Sequence, residues 1–285
     1  MRSFLPILLS LTTTAIIVAS PGLAEGKSAT EVLDGAFESR FGADMTAEIE
    51  LTMRDRSGRE HRRMFEAASK MIDGKMHSVG KLNWPNYLRN MTILTIEADE
   101  RDHDAFVYMP SLERIRRISS AQRGDAFFGT DITYEDLERR HADEFRIDVF
   151  ESALTNGEES HHIQATPLEK MTFSKVDYFI AKADLAVLET RFYRGDSEEP
   201  YRIVHTDREK MVSKDSFILP TVIVVENLDR RTITTAIFRN LRINPEIDER
   251  LFSTSVLQRN PSLRTHSDLS TPAFNPPESS ERDAR

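Results

Sequence analysis

The sequence predicts a mainly β protein with a few helices, an α+β chain whose antiparallel sheet curls over its own apolar face. Three observations carry this. From Met45 onward, apolar and polar residues alternate with period two in many short runs, separated by short polar connections. No strand–helix–strand alternation and no internal repeat interrupts them, so neighbouring strands are expected to pair antiparallel. Few segments show helical spacing, and one-sided sheets must bury their apolar faces somewhere. A wide sheet that curls to do so leaves an interior that side chains need not fill, as in ligand-holding barrels.

Along the chain, Arg2, the apolar run Phe4–Ala19 and the small residues Gly22-Leu23-Ala24 read as a signal peptide over residues 1–24, cleaved after Ala24. The run holds Pro6 and three threonines and is short for a membrane span of about 20 residues. Ser28-Ala-Thr-Glu31 is a capping box, in which hydroxyl and carboxylate satisfy exposed backbone donors reciprocally. It starts a helix over 28–41 whose stripe Leu33, Phe37, Phe41 is expected to pack on the sheet, with Gly42 as its stop. In the first strand Ala47, Ile49, Leu51 and Met53 alternate with Thr46, Glu48, Glu50 and Thr52. Arg56-Ser57-Gly58 turns the chain into a hairpin partner over 59–67.

Further strands are expected at 75–82, 91–98, 105–109, 112–118, 145–150, 161–166, 175–181, 186–194, 200–206, 217–226 and 231–243. Strand 186–194 sets Ala186, Leu188 and Phe192 against Glu189 and Arg191. Strand 231–243 sets Ile233, Thr235, Ile237, Leu241 and Ile243 on one face. Strand 217–226 is apolar on both faces, and its Pro220 places it at an edge or a bulge. Helical cover beyond 28–41 is limited to a turn at 131–141 and a segment near 119–127. The Pro-, Ser- and charge-rich residues 260–285 read as a disordered tail.

Composition excludes several functions. The net charge of −9, one unit more negative without Arg2, disfavours nucleic acid, whose binding rests on phosphate neutralisation, and disfavours anionic headgroups. There is no Cys, hence no lipid-anchor cysteine and no disulfide. No G-x-S-x-G, Walker loop or H-E-x-x-H is present, and Ser119-Ser120 has no histidine at a catalytic spacing, so an enzyme is not expected. His161-His162 point to opposite faces of a strand, and a metal site needs three or four convergent ligands, so neither metal nor cofactor is expected. The charge run Glu97–Asp104 reads as a solvated hairpin loop, without the glycine and terminal glutamate of a calcium loop. Ten Met and sixteen Phe suit an ordinary core or an adaptable lining for acyl chains.

The densest motif is residues 106–137, FVYMPSLERIRRISSAQRGDAFFGTDITYEDL. A strand halts at Pro110; a second carries Arg114, Arg116 and Arg117 among Leu112, Ile115 and Ile118. A polar turn with Arg123 follows, then Gly129 and an acidic turn holding Asp131, Tyr134, Glu135 and Asp136. Two readings stand. The arginines pair with Asp125, Asp131, Glu135 and Asp136 to fix this loop to the sheet, or Arg114 and Arg116 face a cavity mouth and meet a lipid carboxylate, a phosphate or an acidic partner.

This order of residue types resembles the signature of the outer-membrane-lipoprotein-sorting-protein family, relatives of the periplasmic carriers LolA and LolB. DLAVLETRFYR (184–194) is similar to that family's middle hairpin and TTAIFRNLRINPEIDERLF (234–252) to its closing strand and turn. Asn90-Met91 departs from the pattern, where Gly-Thr is expected after Leu88-Arg89. The resemblance implies one domain over 25–259. Its fold would be an incomplete, bent antiparallel β-barrel with an N-terminal helix and a helical lid around an apolar cavity. The apolar strand faces then offer Ile49, Leu51, Met53, Phe106, Tyr108, Leu188, Phe192 and Ile237 as lining. The implied function is a soluble periplasmic carrier of a lipid or lipidated protein, with transient membrane contact. Alternatives are an accessory module docking on an RND/MMPL-type inner-membrane exporter, and an envelope lipid- or glycan-acting enzyme.

Overall fold

The structure, a computed structural model, describes residues 27–97, 103–259 and 262–263. The expected signal peptide with its cleavage after Ala24, most of the 97–104 loop and nearly all of the tail lie outside these residues.

Helix α1 (Ala29–Phe41) starts at the expected capping box. The Glu31 amide donates to the Ser28 hydroxyl at 3.3 Å, and the Ser28 amide donates to the Glu31 carboxylate at 2.7 Å. Gly42 ends the helix in a right-handed conformation, φ −79°, not the left-handed one of a glycine stop. Glycine is needed there for space, because a Cβ would sit 2.7 Å from the Glu38 carbonyl oxygen.

The strands are β1 (Met45–Arg54), β2 (Glu60–Ile72), β3 (Lys75–Trp84), β4 (Thr92–Glu97), β5 (His103–Met109), β6 (Arg114–Arg117), β7 (Phe145–Thr155), β8 (Glu158–Pro167), β9 (Lys175–Ala181), β10 (Val187–Tyr193), β11 (Arg202–Thr206), β12 (Met211–Lys214), β13 (Phe217–Pro220), β14 (Val222–Asn227) and β15 (Thr232–Ile243). Thirteen of them form one open antiparallel sheet in the order β6-β5-β4-β3-β2-β1-β15-β14-β11-β10-β9-β8-β7. The expected strand 217–226 is two strands: β13 pairs with β12, which the sequence did not announce, and the chain enters the main sheet only after Pro220, which has no amide hydrogen to give a ladder. The departure at Asn90 is accommodated directly. Asn90 takes φ 65°, a left-handed conformation that asparagine tolerates, and its amide donates to the Leu82 carbonyl at 2.8 Å.

The sheet is two meanders joined at their middle. Strands β1–β6 run outward to one edge; β7 starts at the other edge and the chain returns to place β15 beside β1. Because β6 and β7 are consecutive in sequence and occupy opposite edges, residues 118–144 must cross the sheet between them. This crossover contains no α-helix; it makes single 3-10 turns at Ser120–Gln122, Phe127–Gly129, Glu135–Leu137 and Ala142–Glu144. The helical cover expected at 119–127 and 131–141 is absent for local reasons. Phe128 and Gly129 have φ of 47° and 79°, and the Thr130 hydroxyl donates to the Phe127 carbonyl at 2.7 Å. The Thr133 amide and hydroxyl both bind the Asp136 carboxylate, so side chains take the partners a helix would use.

Three main apolar clusters result. Val32, Leu33 and Phe37 of α1 pack on Phe145, Ile163, Val176 and Tyr178 of β7–β9, as the stripe anticipates. Leu51, Phe65, Ile93, Val107 and Ala236 meet Phe127 of the crossover. On the opposite face of β4 and β5, Leu94, Phe106 and Tyr108 lie under Ile247, Phe252, Leu257 and Leu263, which follow β15 and include helix α2 (Thr254–Leu257). Among the described residues no helix is long and apolar enough to cross a membrane. Leu33 has no exposed surface, so Leu33→Ala is expected to destabilise the fold by about 2–5 kcal/mol, read as a lower urea midpoint at unchanged m-value.

Candidate functional site

Between the curled sheet, α1 and the crossover lies an apolar cavity of about 320 Å³, at the lower end of the roughly 300–1,000 Å³ of small-molecule sites. Its walls come from both meanders. Ile49, Leu51, Phe65, Ala67, Gly80 and Ile93 form one side; Tyr178, Val187, Phe192, Val204, Ile223, Ala236 and Phe238 form the other. Phe37, Arg40 and Phe41 of α1 enter from one end, and Phe127, Ile132 and Glu135–Arg140 of the crossover cover it.

Of the residues the alternation proposed as lining, Ile49, Leu51 and Phe192 face this cavity. Met53, Phe106, Tyr108, Leu188 and Ile237 do not, for reasons of register. Met53 shares the inner face but stands opposite Thr234, where the crossover docks. Phe106 pairs with Leu94, so both Phe106 and Tyr108 point to the far face under the C-terminal segment. A bulge between Val187 and Glu189 inserts an extra residue opposite β9; Val187 turns inward and Leu188 packs instead on Met211 and Ile218 of the β12–β13 hairpin. A second bulge lies in β15, where Glu48 faces Arg239 but Thr46 faces Arg242, and Asn240 takes φ 50°. Before it the even residues Thr234, Ala236 and Phe238 face inward, and after it Leu241 does, so Ile237 points outward.

The charged motif divides differently from either sequence reading. Arg114, Arg116 and Arg117 are exposed on the edge strand β6, and Arg117 donates to Asp104 at 2.7 Å. The acids of the crossover bind other partners. Asp131 accepts from the hydroxyls of Thr232 at 2.5 Å and Thr234 at 2.9 Å, and its own amide donates to Thr234, docking it on β15. Asp136 receives both terminal nitrogens of Arg202 on β11, at 2.5 and 2.8 Å, and Arg202 also reaches the Asp131 carbonyl at 3.3 Å. Glu135 accepts from the Thr172 amide at 3.1 Å and from its hydroxyl. Arg123 closes a two-bond fork on Glu138 at 2.6 and 2.5 Å. Aromatic contact supplements these anchors: Phe65 stacks on Phe127 at 5.2 Å, Tyr134 meets Phe127 edge-on at 5.7 Å, and Arg63 donates to the Phe128 carbonyl.

Burial sets the electrostatics here. It would raise the Asp136 carboxyl, but Arg202 and the Thr133 donors outweigh it and hold the group below the usual carboxylate range. Burial prevails at Glu138, which is raised although Arg123 and Arg140 oppose it. At the far end of the crossover Glu97 is held low against its own burial by the Met76 amide, the His141 ring at 2.6 Å and Arg139. The histidine pair serves packing: His161 stacks on Phe150, and His162 on Phe179 beside Glu151 and Asp177.

Two arginines, one in the cavity and one anchoring its cover, escaped the sequence reading. Arg202 contacts Asp136 across 66 positions, and no local pattern announces such a pair. Arg40 did have a signal, since it falls seven residues after Leu33, on the face that Leu33 and Phe37 mark as apolar.

A family model described as "Uncharacterized protein" matches residues 74–259. No curated protein matches the chain. Among solved structures, a putative outer membrane lipoprotein-sorting protein domain from Vibrio parahaemolyticus is 20% identical with a TM-score of 0.74, covering 81% of this chain and 98% of that one. A DUF1329 family protein from Desulfovibrio piger is 21% identical, TM-score 0.71, covering 79% and 97%. A LolA superfamily protein from Nitrosomonas europaea is 16% identical, TM-score 0.64, covering 81% and 99%. At these identities the likeness is one of fold.

The Arg202–Asp136 pair makes a sharp prediction. Asp136→Asn leaves a guanidinium that is 2% exposed without its counter-charge, and a loss of about 3 kcal/mol is expected. Replacing both partners with Leu and Met should recover most of it in a double-mutant cycle. Because the folded Asp136 pKa is depressed, the pair's contribution is fully present above the free-chain value of about 3.9 and is lost as pH falls through the lower folded value. Wild type should therefore lose its advantage over the Asn variant only below about pH 4, as followed by denaturation midpoints.

Proposed function

We propose, from the premise that the chain belongs to the family matched over residues 74–259 and has the fold of lipoprotein-sorting domains, that it is a soluble periplasmic carrier of acyl chains. Its cargo is a lipid or the lipid moiety of a lipoprotein. The observation that carries this reading is the apolar cavity itself, bounded by an open sheet on one side and by a non-helical crossing segment on the other. An acyl chain entering it gains roughly 0.8 kcal/mol per methylene removed from water. The crossover acts as the lid. Its attachments are side-chain anchors and apolar contacts, not strand pairing, so it can lift from the sheet without breaking a strand ladder. Release then needs an acceptor membrane or protein that takes the chain before the lid recloses.

Native mass spectrometry of the protein, purified from cells without detergent, is expected to show bound lipid. A protein that retains none, and takes up none from vesicles, would sink the reading. Ile223→Trp places a larger ring in the lining and should cut lipid occupancy at least tenfold, with a stability cost of about 1–3 kcal/mol from overpacking.

A further inference from the structure

Arg40 enters the cavity from the last turn of α1. Among the described residues its guanidinium has no hydrogen bond and no ion pair. Its one close contact is the ring of Phe41, 5.1 Å from the guanidinium carbon. Every other arginine on the cavity wall is engaged: Arg139 with Glu38 and Glu97, and Arg140 with Glu135, Glu138 and Glu144.

The carboxylate whose charge acts on Arg40 is Asp136, and it is already engaged by other donors. One nitrogen of Arg202 and the amide and hydroxyl of Thr133 reach its Oδ2, and the second Arg202 nitrogen reaches its Oδ1. Beside Arg40 stands Tyr178, whose ring is held edge-on by Phe37 at 5.4 Å and Phe145 at 6.2 Å. Its hydroxyl also has no hydrogen-bond partner among the described residues. Burial pushes the Tyr178 pKa far up, so it is a neutral O–H donor. A cation with five donors and a hydroxyl thus line one cavity whose walls are mainly hydrocarbon and whose cover carries the charged residues Glu135–Arg140. Arg40 is half-buried; a charge partly withdrawn from water without a partner is unfavourable, and a ligand that supplies the partner reduces that penalty on binding.

We propose that Arg40 and Tyr178 form a headgroup subsite for the carboxylate of a single-chain acyl amphiphile, a fatty acid being the simplest case. The guanidinium fork takes both oxygens, the Tyr178 hydroxyl donates a further bond, and the acyl chain lies along Phe41, Leu51, Ile223 and Phe238. The inference rests on the acyl-carrier reading and adds the class of its ligand.

The test measures displacement of the neutral dye N-phenylnaphthylamine from the full protein by palmitate and by hexadecanol at neutral pH. Wild type is expected to bind palmitate at least tenfold more tightly than the alcohol. Arg40→Met should abolish that preference by weakening palmitate alone, and Arg40→Lys, which keeps the charge and loses the fork, should restore part of it. Equal binding of acid and alcohol by wild type overturns the headgroup subsite and leaves the carrier reading standing. A variant that weakens both ligands equally overturns the subsite as well. Failure of wild type to bind either ligand overturns both readings.

Discussion

Arg202 lies almost wholly out of solvent, stacked 4.3 Å over the ring of its cross-strand neighbour Phe192, and its fork closes on an aspartate of the crossing segment. The open sheet depends on this contact. Its two edges, β6 and β7, are adjacent in sequence and far apart in the sheet, so the chain between them has no ladder to follow and must be attached to the sheet's face. Arg202 and the threonines of β15 lie on either side of Asn227 of β14, with which both Arg202 and Thr232 pair, and so fix the crossing chain at the centre of the wall. A buried cation is the stiffest of such anchors, because it cannot let go of its partner without being stranded in a poorly solvating place.

The remaining anchors are of a different kind. Toward β6 the crossover is held by ring contact and one backbone acceptor, Phe128. Toward β7 it is held by a dense set of carboxylates and bases: Glu97 with His141, Arg139 with Glu38, and the Ala142 amide on Asp34 of α1. Helix and crossover are therefore coupled at one end of the cavity and independent at the other. Movement of the cover is easiest at the aromatic end, where the contacts are non-directional.

What could be read from sequence was whatever depends on neighbours in the chain. The capping box, the alternation in β1, the Pro110 stop after β5 and the antiparallel meander all follow from local chemistry. Face assignments failed at Leu188 and Ile237 because each lies next to a bulge, and a bulge is a property of two strands whose register one strand does not contain. Phe106 and Tyr108 alternate correctly, but alternation does not say which face is the inner one. The arginines of β6 drew attention by their number, yet an edge strand is where charge is least constrained and most useful against unwanted pairing. Arg40, which lines the cavity, and Arg202, which anchors its cover, each stand outside any run of arginines.

The pairing of β1 with β15 has a consequence for how the chain acquires its shape. Each meander is built from hairpins between sequence neighbours, so its contacts close quickly. The seam at the centre of the sheet joins Met45 to Ile243, nearly the full length of the domain. Loop-closure entropy places such a contact late, and chains dominated by distant pairings fold slowly. Until β15 arrives, two half-sheets each expose an unpaired central edge and half of a hydrocarbon-walled hollow. β15, the last strand among the described residues, is the one that turns two sticky fragments into a single vessel.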